Sequence, residues 1–257
     1  MTTIDYFDVY QEYIVNDLPI PYKNIKICPI YFKDAYKFLN SYDILNIEKD
    51  EINDVNIIQM SYLKFILLLM QSDTEDVWAK KINNIFELCL NMDDFIHKSD
   101  IEIDSESDTI NIRYEDIVIT ERDFDIIRKI ILYQNLPNYD DIYIDPDVKK
   151  SIETYYKLAN ENINPPTIEK KKIILMTMGL SSKEIFDLTY REAELLIDTV
   201  SDKIEYTTNK IISAMPYVDG SKINVDNWIY KKKKNKYEDA FVDAEAFKDK
   251  FKNVSQK

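Results

Sequence analysis

Glycine is the residue this chain nearly lacks. Only Gly179 and Gly220 occur in 257 residues, where average usage would give roughly 18. Loops that cradle phosphates need several glycines, because their backbone N–H groups must approach the ligand closely. Neither GxGxxG nor GxxxxGK(S/T) can be written with two glycines 41 positions apart. Rossmann-type cofactor binding and P-loop nucleotide hydrolysis are therefore disfavoured, and no cofactor is expected.

Histidine is almost as scarce. His97 is alone, so a Ser-His-Asp or Cys-His arrangement, or most catalytic zinc sites, would have to use it. It stands in NMDDFIHKSD at an expected helix end, where an imidazole meets the negative end of the dipole. Cys28 and Cys89 lie in apolar surroundings without metal-ligand spacing and read as buried free thiols. So few cysteines point to a reducing compartment. The start MTTIDYFDVY carries no charged-then-apolar signal pattern, and the longest apolar run, Phe65–Met70, is far too short for a bilayer. Cytosol without membrane attachment is the expectation.

The net charge of −14 is unevenly spread. Residues 201–257 carry +3, which leaves −17 on residues 1–200. Such an acidic body repels phosphate backbones and suits solubility or a basic protein partner.

The periodicity predicts an α+β protein, predominantly helical, with a small antiparallel β-hairpin or meander. The three prolines of DLPIPYKNIKICPI favour extended backbone, with a short strand around Ile25 and Ile27. FKDAYKFLNSYDIL places Ala35, Phe38, Leu39 and Tyr42 on one helical face, and INDVNIIQMSYLKFILLLM reads as one strongly apolar helix. Residues 75–97 repeat the amphipathic pattern with Trp78, Ile82, Ile85, Phe86 and Cys89. The period then shifts to two, predicting strands over 101–119, after which Thr120 with Asp123 signals an N-cap. The expected parts are 1–135 with the inserted hairpin, an acidic loop at 136–150, a helical part at 151–230 and a charged tail at 231–257.

Two acidic clusters are candidates for chemistry. Asp104, Glu106, Asp108 and Glu115 fit part of an EF-hand count, but position 6 is Thr109 instead of glycine and strands replace the flanking helices. Asp140, Asp141, Asp145 and Asp147, with Glu169 and Lys171 further on, only loosely suggest a magnesium-dependent nuclease. Solvated acidic turns are the simpler reading of both clusters. No catalytic residue and no metal site is assigned, and an enzyme is not expected.

GLSSKEIFDLTYREAELL, residues 179–196, is the most informative stretch. Gly179 reads as a left-handed helix terminator, Ser181 with Glu184 as a capping box, and Thr189 with Glu192 as a second one. Leu180, Ile185, Leu188, Leu195 and Leu196 are expected to form one small core. The wording also resembles the turn of helix-turn-helix regulators. Its second helix, however, sets Glu192, Glu194 and Asp198 beside Arg191, which would face phosphates unfavourably.

Three segments in order, PIPYKNIKICPIYFKDAYKFL, IIQMSYLKFILLL and MGLSSKEIFDLTYREAELLI, resemble bacteriophage tail assembly chaperones and related tail-morphogenesis proteins of phages of low-G/C bacteria. The matching corner positions are Gly179, Ser181, Glu184, Ile185, Thr189 and Glu192. The expected strands at 101–119 depart from the smaller, all-helical members. The resemblance implies a non-enzymatic role: binding and solubilising a tape-measure protein, or another tail protein, in the bacterial host cytoplasm. Self-association, or a place in the virion as a tail or baseplate component, are the alternatives it leaves open. Nucleic acid is not an expected partner. Candidate partner-binding residues are Met176, Met178, Phe186 and Tyr190, which as ordinary core residues would have the simpler role. The family also often makes a second product by ribosomal slippage, for which the codons of Lys231–Lys234 would be the place.

Overall fold

In the computed structural model, the glycine shortage is met by other residues turning left-handed corners. The residues described are 6–49, 52, 54–104, 108–139, 148–152, 154, 165–220, 223, 225 and 227–229. Among them Asp17, Lys23, Asp76, Asn91, Asp94, Asp108 and Glu115 hold φ between 50° and 56°. Asp and Asn tolerate this region best, because their short polar side chains bond locally.

The architecture is α+β, mainly helical, with two small antiparallel sheets among the described residues. Contacts divide it into two compact units. The first takes residues 1–142 and 166–198, and the second takes 143–165 and 199–257.

The first unit begins with helix α1 (Tyr6–Val15), followed by a hairpin of β1 (Ile20–Tyr22) and β2 (Ile25–Ile27), with Ile20 opposite Ile27. Both isoleucines are fully buried. The predicted face of Ala35, Phe38, Leu39 and Tyr42 does turn inward. It is carried, however, by helix α2 (Ala35–Leu39) between two 3-10 turns, Phe32–Asp34 and Tyr42–Leu45. The single apolar helix expected from Ile52 is also divided, into α3 (Val55–Gln59) and α4 (Tyr62–Ser72). Met60 is extended (φ −67°, ψ 156°), because Ser61 restarts the helix by accepting a bond from the Lys64 N–H at 3.2 Å. Lys49 reaches the carbonyls of Ile58 and Met60 that the break leaves open. Here local capping overrides a continuous apolar pattern.

Helix α5 (Val77–Leu90) buries Ile82, Ile85, Phe86 and Cys89 of the predicted stripe, leaves Trp78 half-buried, and ends at left-handed Asn91. The short α6 (Phe95–Lys98) carries His97 in its last turn, bonded to Asp94 Oδ1 at 2.6 Å. The period-two segment is a meander of β3 (Ser99–Asp104), β4 (Thr109–Tyr114) and β5 (Ile117–Thr120) in the order β3-β4-β5. It runs slightly beyond the expected 101–119.

Thr120 then caps α7 (Glu121–Asn135) through a complete capping box with Asp123. Asp123 is buried, and it also receives Tyr22 Oη at 2.7 Å and Lys23 Nζ at 2.6 Å. One carboxylate thus joins the first hairpin to the start of the central helix. Burial pushes this carboxyl up, but the bonds from Lys23, Tyr22 and Thr120 outweigh burial and hold it below the usual range. A depressed folded-state pKa contributes stability that is present above the unfolded value and lost as pH falls through the folded one. The wild-type urea midpoint is expected to decline below about pH 4, with a shallower decline in Asp123→Asn. Identical pH slopes would show that Asp123 contributes nothing to the acid limb.

After residue 165 come α8 (Ile168–Thr177), α9 (Ser182–Asp187) and α10 (Tyr190–Ser213). Helix α10 belongs to the first unit up to Asp198 and to the other from Thr199. In that second unit, the described residues 148–152 are helical, and Lys203 Nζ lies 5.9 Å from the ring centre of half-buried Trp228. The acidic loop residues Asp140, Asp141, Asp145 and Asp147, the tail at 231–257 and its run Lys231–Lys234 lie outside the described residues.

Candidate functional site

The corner after α8 forms as its residues dictate. Gly179 has φ +98°, its N–H bonds to the Met176 carbonyl at 3.0 Å, and the Leu180 N–H reaches the Leu175 carbonyl at 3.3 Å. This pair of bonds is a Schellman terminator, which satisfies the last carbonyls of α8. Among the described residues nothing lies within 4 Å of where a Cβ on Gly179 would stand, so backbone strain is what opposes a side chain there. Gly179→Ala is expected to cost about 1–2 kcal/mol in thermal or urea unfolding. An unchanged midpoint would mean that the corner relaxes freely.

Ser181 and Glu184 form the expected capping box, with Glu184 Oε2 accepting from the Ser181 N–H at 2.8 Å and from its hydroxyl at 2.7 Å. Those bonds hold the Glu184 carboxyl below the usual range. Thr189 Oγ1 accepts the Glu192 N–H at 3.1 Å, as predicted, and donates to Asp17 Oδ1 at 2.7 Å, a link with no sequence signal. Desolvation and then the Asp17 carboxylate push the Glu192 carboxyl up.

The corner is sewn onto the extended segment before α2. The Phe32 N–H donates to the Leu188 carbonyl at 2.8 Å, and the Tyr190 N–H to the Ile30 carbonyl at 2.7 Å. Tyr31 and Thr189 thereby form an antiparallel bridge. On its other side, Ile30 donates its N–H to Asn135 Oδ1 at 2.7 Å. The local signals of the corner were readable, but this three-part clamp was not.

The four candidate partner-binding residues separate. Tyr190 is not part of a groove: it is buried against Phe38, with ring centres 6.2 Å apart. Lys171 Nζ lies 3.4 Å from its hydroxyl and pairs with Glu194 at 2.7 Å. Burial, followed by Glu194, raises the Tyr190 pKa far above its ordinary value. Met178 is half-buried against the core. Met176 and Phe186 remain on the surface at 47% and 38% exposure, joined by Ile173 at 47%. Lys172, one turn before Met176, sets Nζ 4.6 Å from the Phe186 ring centre and so connects the two helices. Ile173 was missed, although its spacing of three from Met176 on α8 was the available signal. The predicted small core is also redrawn: Ile185 is buried, but Leu195 and Leu196 are exposed, and α10 packs through Tyr190, Ala193 and Ile197 instead.

The helix-turn-helix expectation loses its cation. Arg191 Nη1 donates to the Tyr133 carbonyl at 3.0 Å, and α9 spans only six residues. At the EF-hand-like turn, Lys64 binds the carboxylate and carbonyl of Asp108, and Glu106 lies outside the described residues. Among the described residues there is no group of three or more His, Cys, Asp or Glu arranged to hold a metal ion. Nor is any helix among them long and apolar enough to cross a membrane. The chain matches no protein-family model, no curated protein and no solved structure.

Proposed function

We propose that this chain is a non-enzymatic tail-assembly chaperone of the phage type, which holds an amphipathic helix of a long tape-measure protein in the host cytoplasm. The observation that supports this best is the exposure of Ile173, Met176 and Phe186 on the two helices that meet at the clamped corner. Met is adaptable toward varied apolar side chains, and an apolar helix face is read through anchors at helical spacing. Lys172 at the edge of the patch offers a carboxylate on that helix a partner, and the acidic body keeps the complex soluble.

Co-expression with a long coiled-coil-rich tape-measure protein, whose reading frame the proposal expects immediately downstream of this one, tests the proposal. The wild type is expected to keep that protein soluble and to copurify with it. The double variant Met176→Asp, Phe186→Asp should lower recovery at least about tenfold. Its urea midpoint should barely move, because both side chains are exposed. An insoluble partner, or equal recovery with the variant, would sink the proposal. Abundant copies of the chain in purified particles would assign it to the tail or baseplate instead.

A further inference from the structure

Strand β3 is an edge strand of the meander. It pairs with β4 on one side, and among the described residues no strand pairs with the other. The register aligns Ile119 of β5, Ile112 of β4 and Ile101 of β3 across one face of the meander. Exposure along that row rises from 0% through 3% to 52%, and Ile103, the next residue of β3 on the same face, is 67% exposed. The apolar face of the sheet therefore continues past the core, and among the described residues nothing covers its end.

The opposite face of β3 is acidic. Asp100, Glu102 and Asp104 alternate with the isoleucines, and Arg113 of β4 bonds Glu102 at 2.6 Å, holding that carboxyl below the usual range. Edge strands are commonly protected by charged side chains, lysine above all, by Pro, a bulge or a covering segment. SDIEID contains neither lysine nor proline, and β3 pairs with β4 residue for residue from Ser99 to Asp104.

We propose that β3 takes up an extended segment of another protein as a fourth strand, one in which basic and β-branched residues alternate. The two faces of β3 specify both halves of that pattern. The partner's β-branched residues continue the isoleucine row, while its basic residues lie beside Asp100, Glu102 and Asp104. A second copy of this chain fits poorly, because β3 against β3 places three carboxylates opposite three carboxylates on one face. This surface is separate from the α8–α9 patch and does not depend on the chaperone reading.

The test uses the full chain, isotope-labelled, titrated with the capped peptide Lys-Val-Lys-Ile-Lys-Val. Amide shifts are expected to centre on Ile101–Asp104, with slowed hydrogen exchange at the amides of β3 that β4 does not hold. Affinity should be at least about tenfold higher than for a block peptide of the same composition, since only the alternating order meets both faces. Ile103→Lys should weaken binding by about tenfold without moving the melting temperature. Equal binding of the block peptide would reduce the effect to general attraction toward an acidic body and overturn the proposal. So would shifts centred elsewhere, or an Ile103→Lys-sensitive dimer of the protein alone in sedimentation.

Discussion

Asn135→Ala is expected to destabilise the first unit by about 3 kcal/mol. Asn135 is fully buried at the end of α7, where its Oδ1 accepts the Ile30 N–H and its Nδ2 donates to the Ile131 carbonyl at 2.9 Å. Alanine leaves that N–H unpaired in the core, at a cost of about 1–3 kcal/mol, and opens a small void besides. The effect reaches the corner, because the carbonyl of the same Ile30 holds the Tyr190 N–H. Urea unfolding should show a lower midpoint with an unchanged slope. Asn135→Asp gives a sharper check. The new carboxylate still accepts from Ile30 but sets a charge against the Ile131 carbonyl, so this variant should regain stability as pH falls and the group becomes a donor. A pH-independent deficit would mean that the asparagine acts through its shape alone.

The legible features were those encoded within a few residues. Thr120 with Asp123, Ser181 with Glu184 and the terminator at Gly179 each depend on backbone groups no more than four positions away. The period-two segment was equally plain, because alternation needs no knowledge of what the strands pack against. Ser61 shows where pattern reading fails: its cap lies inside an apolar run, and hydrophobicity hid the signal. The face of α10 was misjudged for another reason. Leu195 and Leu196 look like core residues, but the inward side of α10 is set by Tyr190, which packs on Phe38 and bonds the Ile30 carbonyl through its N–H. Asn135 with Ile30, Thr189 with Asp17 and Asp123 with Tyr22 join residues more than 100 positions apart. One sequence carries no periodic trace of such pairs. The clamp beside the candidate surface was therefore invisible in advance, although two of that surface's three residues, Met176 and Phe186, were not.

Phe86→Ala is expected to cost about 4 kcal/mol, the largest effect of a single truncation proposed for this chain. Phe86 lies within a run of rings that crosses the first unit. Tyr114 of the meander is 5.8 Å from Phe95, Phe95 is 4.2 Å from Phe86, and Phe86 is 5.9 Å from Phe124 of α7. Phe124 in turn lies 6.4 Å from Tyr62, whose hydroxyl donates to the Ile44 carbonyl and accepts the Ile47 N–H, while the Arg128 guanidinium covers its ring. Deleting the middle ring removes its own burial and also leaves Phe95 and Phe124 facing a void. A domain stable by about 5–15 kcal/mol would lose a large share of that margin. Phe86→Leu fills most of the space and should cost only about 1–2 kcal/mol, which separates volume from ring chemistry. Because Phe86 and Phe95 touch, Phe86→Ala and Phe95→Ala together should cost less than the sum of the two alone, by at least about 0.5 kcal/mol. Additive losses would mean that the rings act separately, and that the meander is attached to the helices by bonds such as the Tyr114 hydroxyl to the Asp93 carbonyl at 3.1 Å.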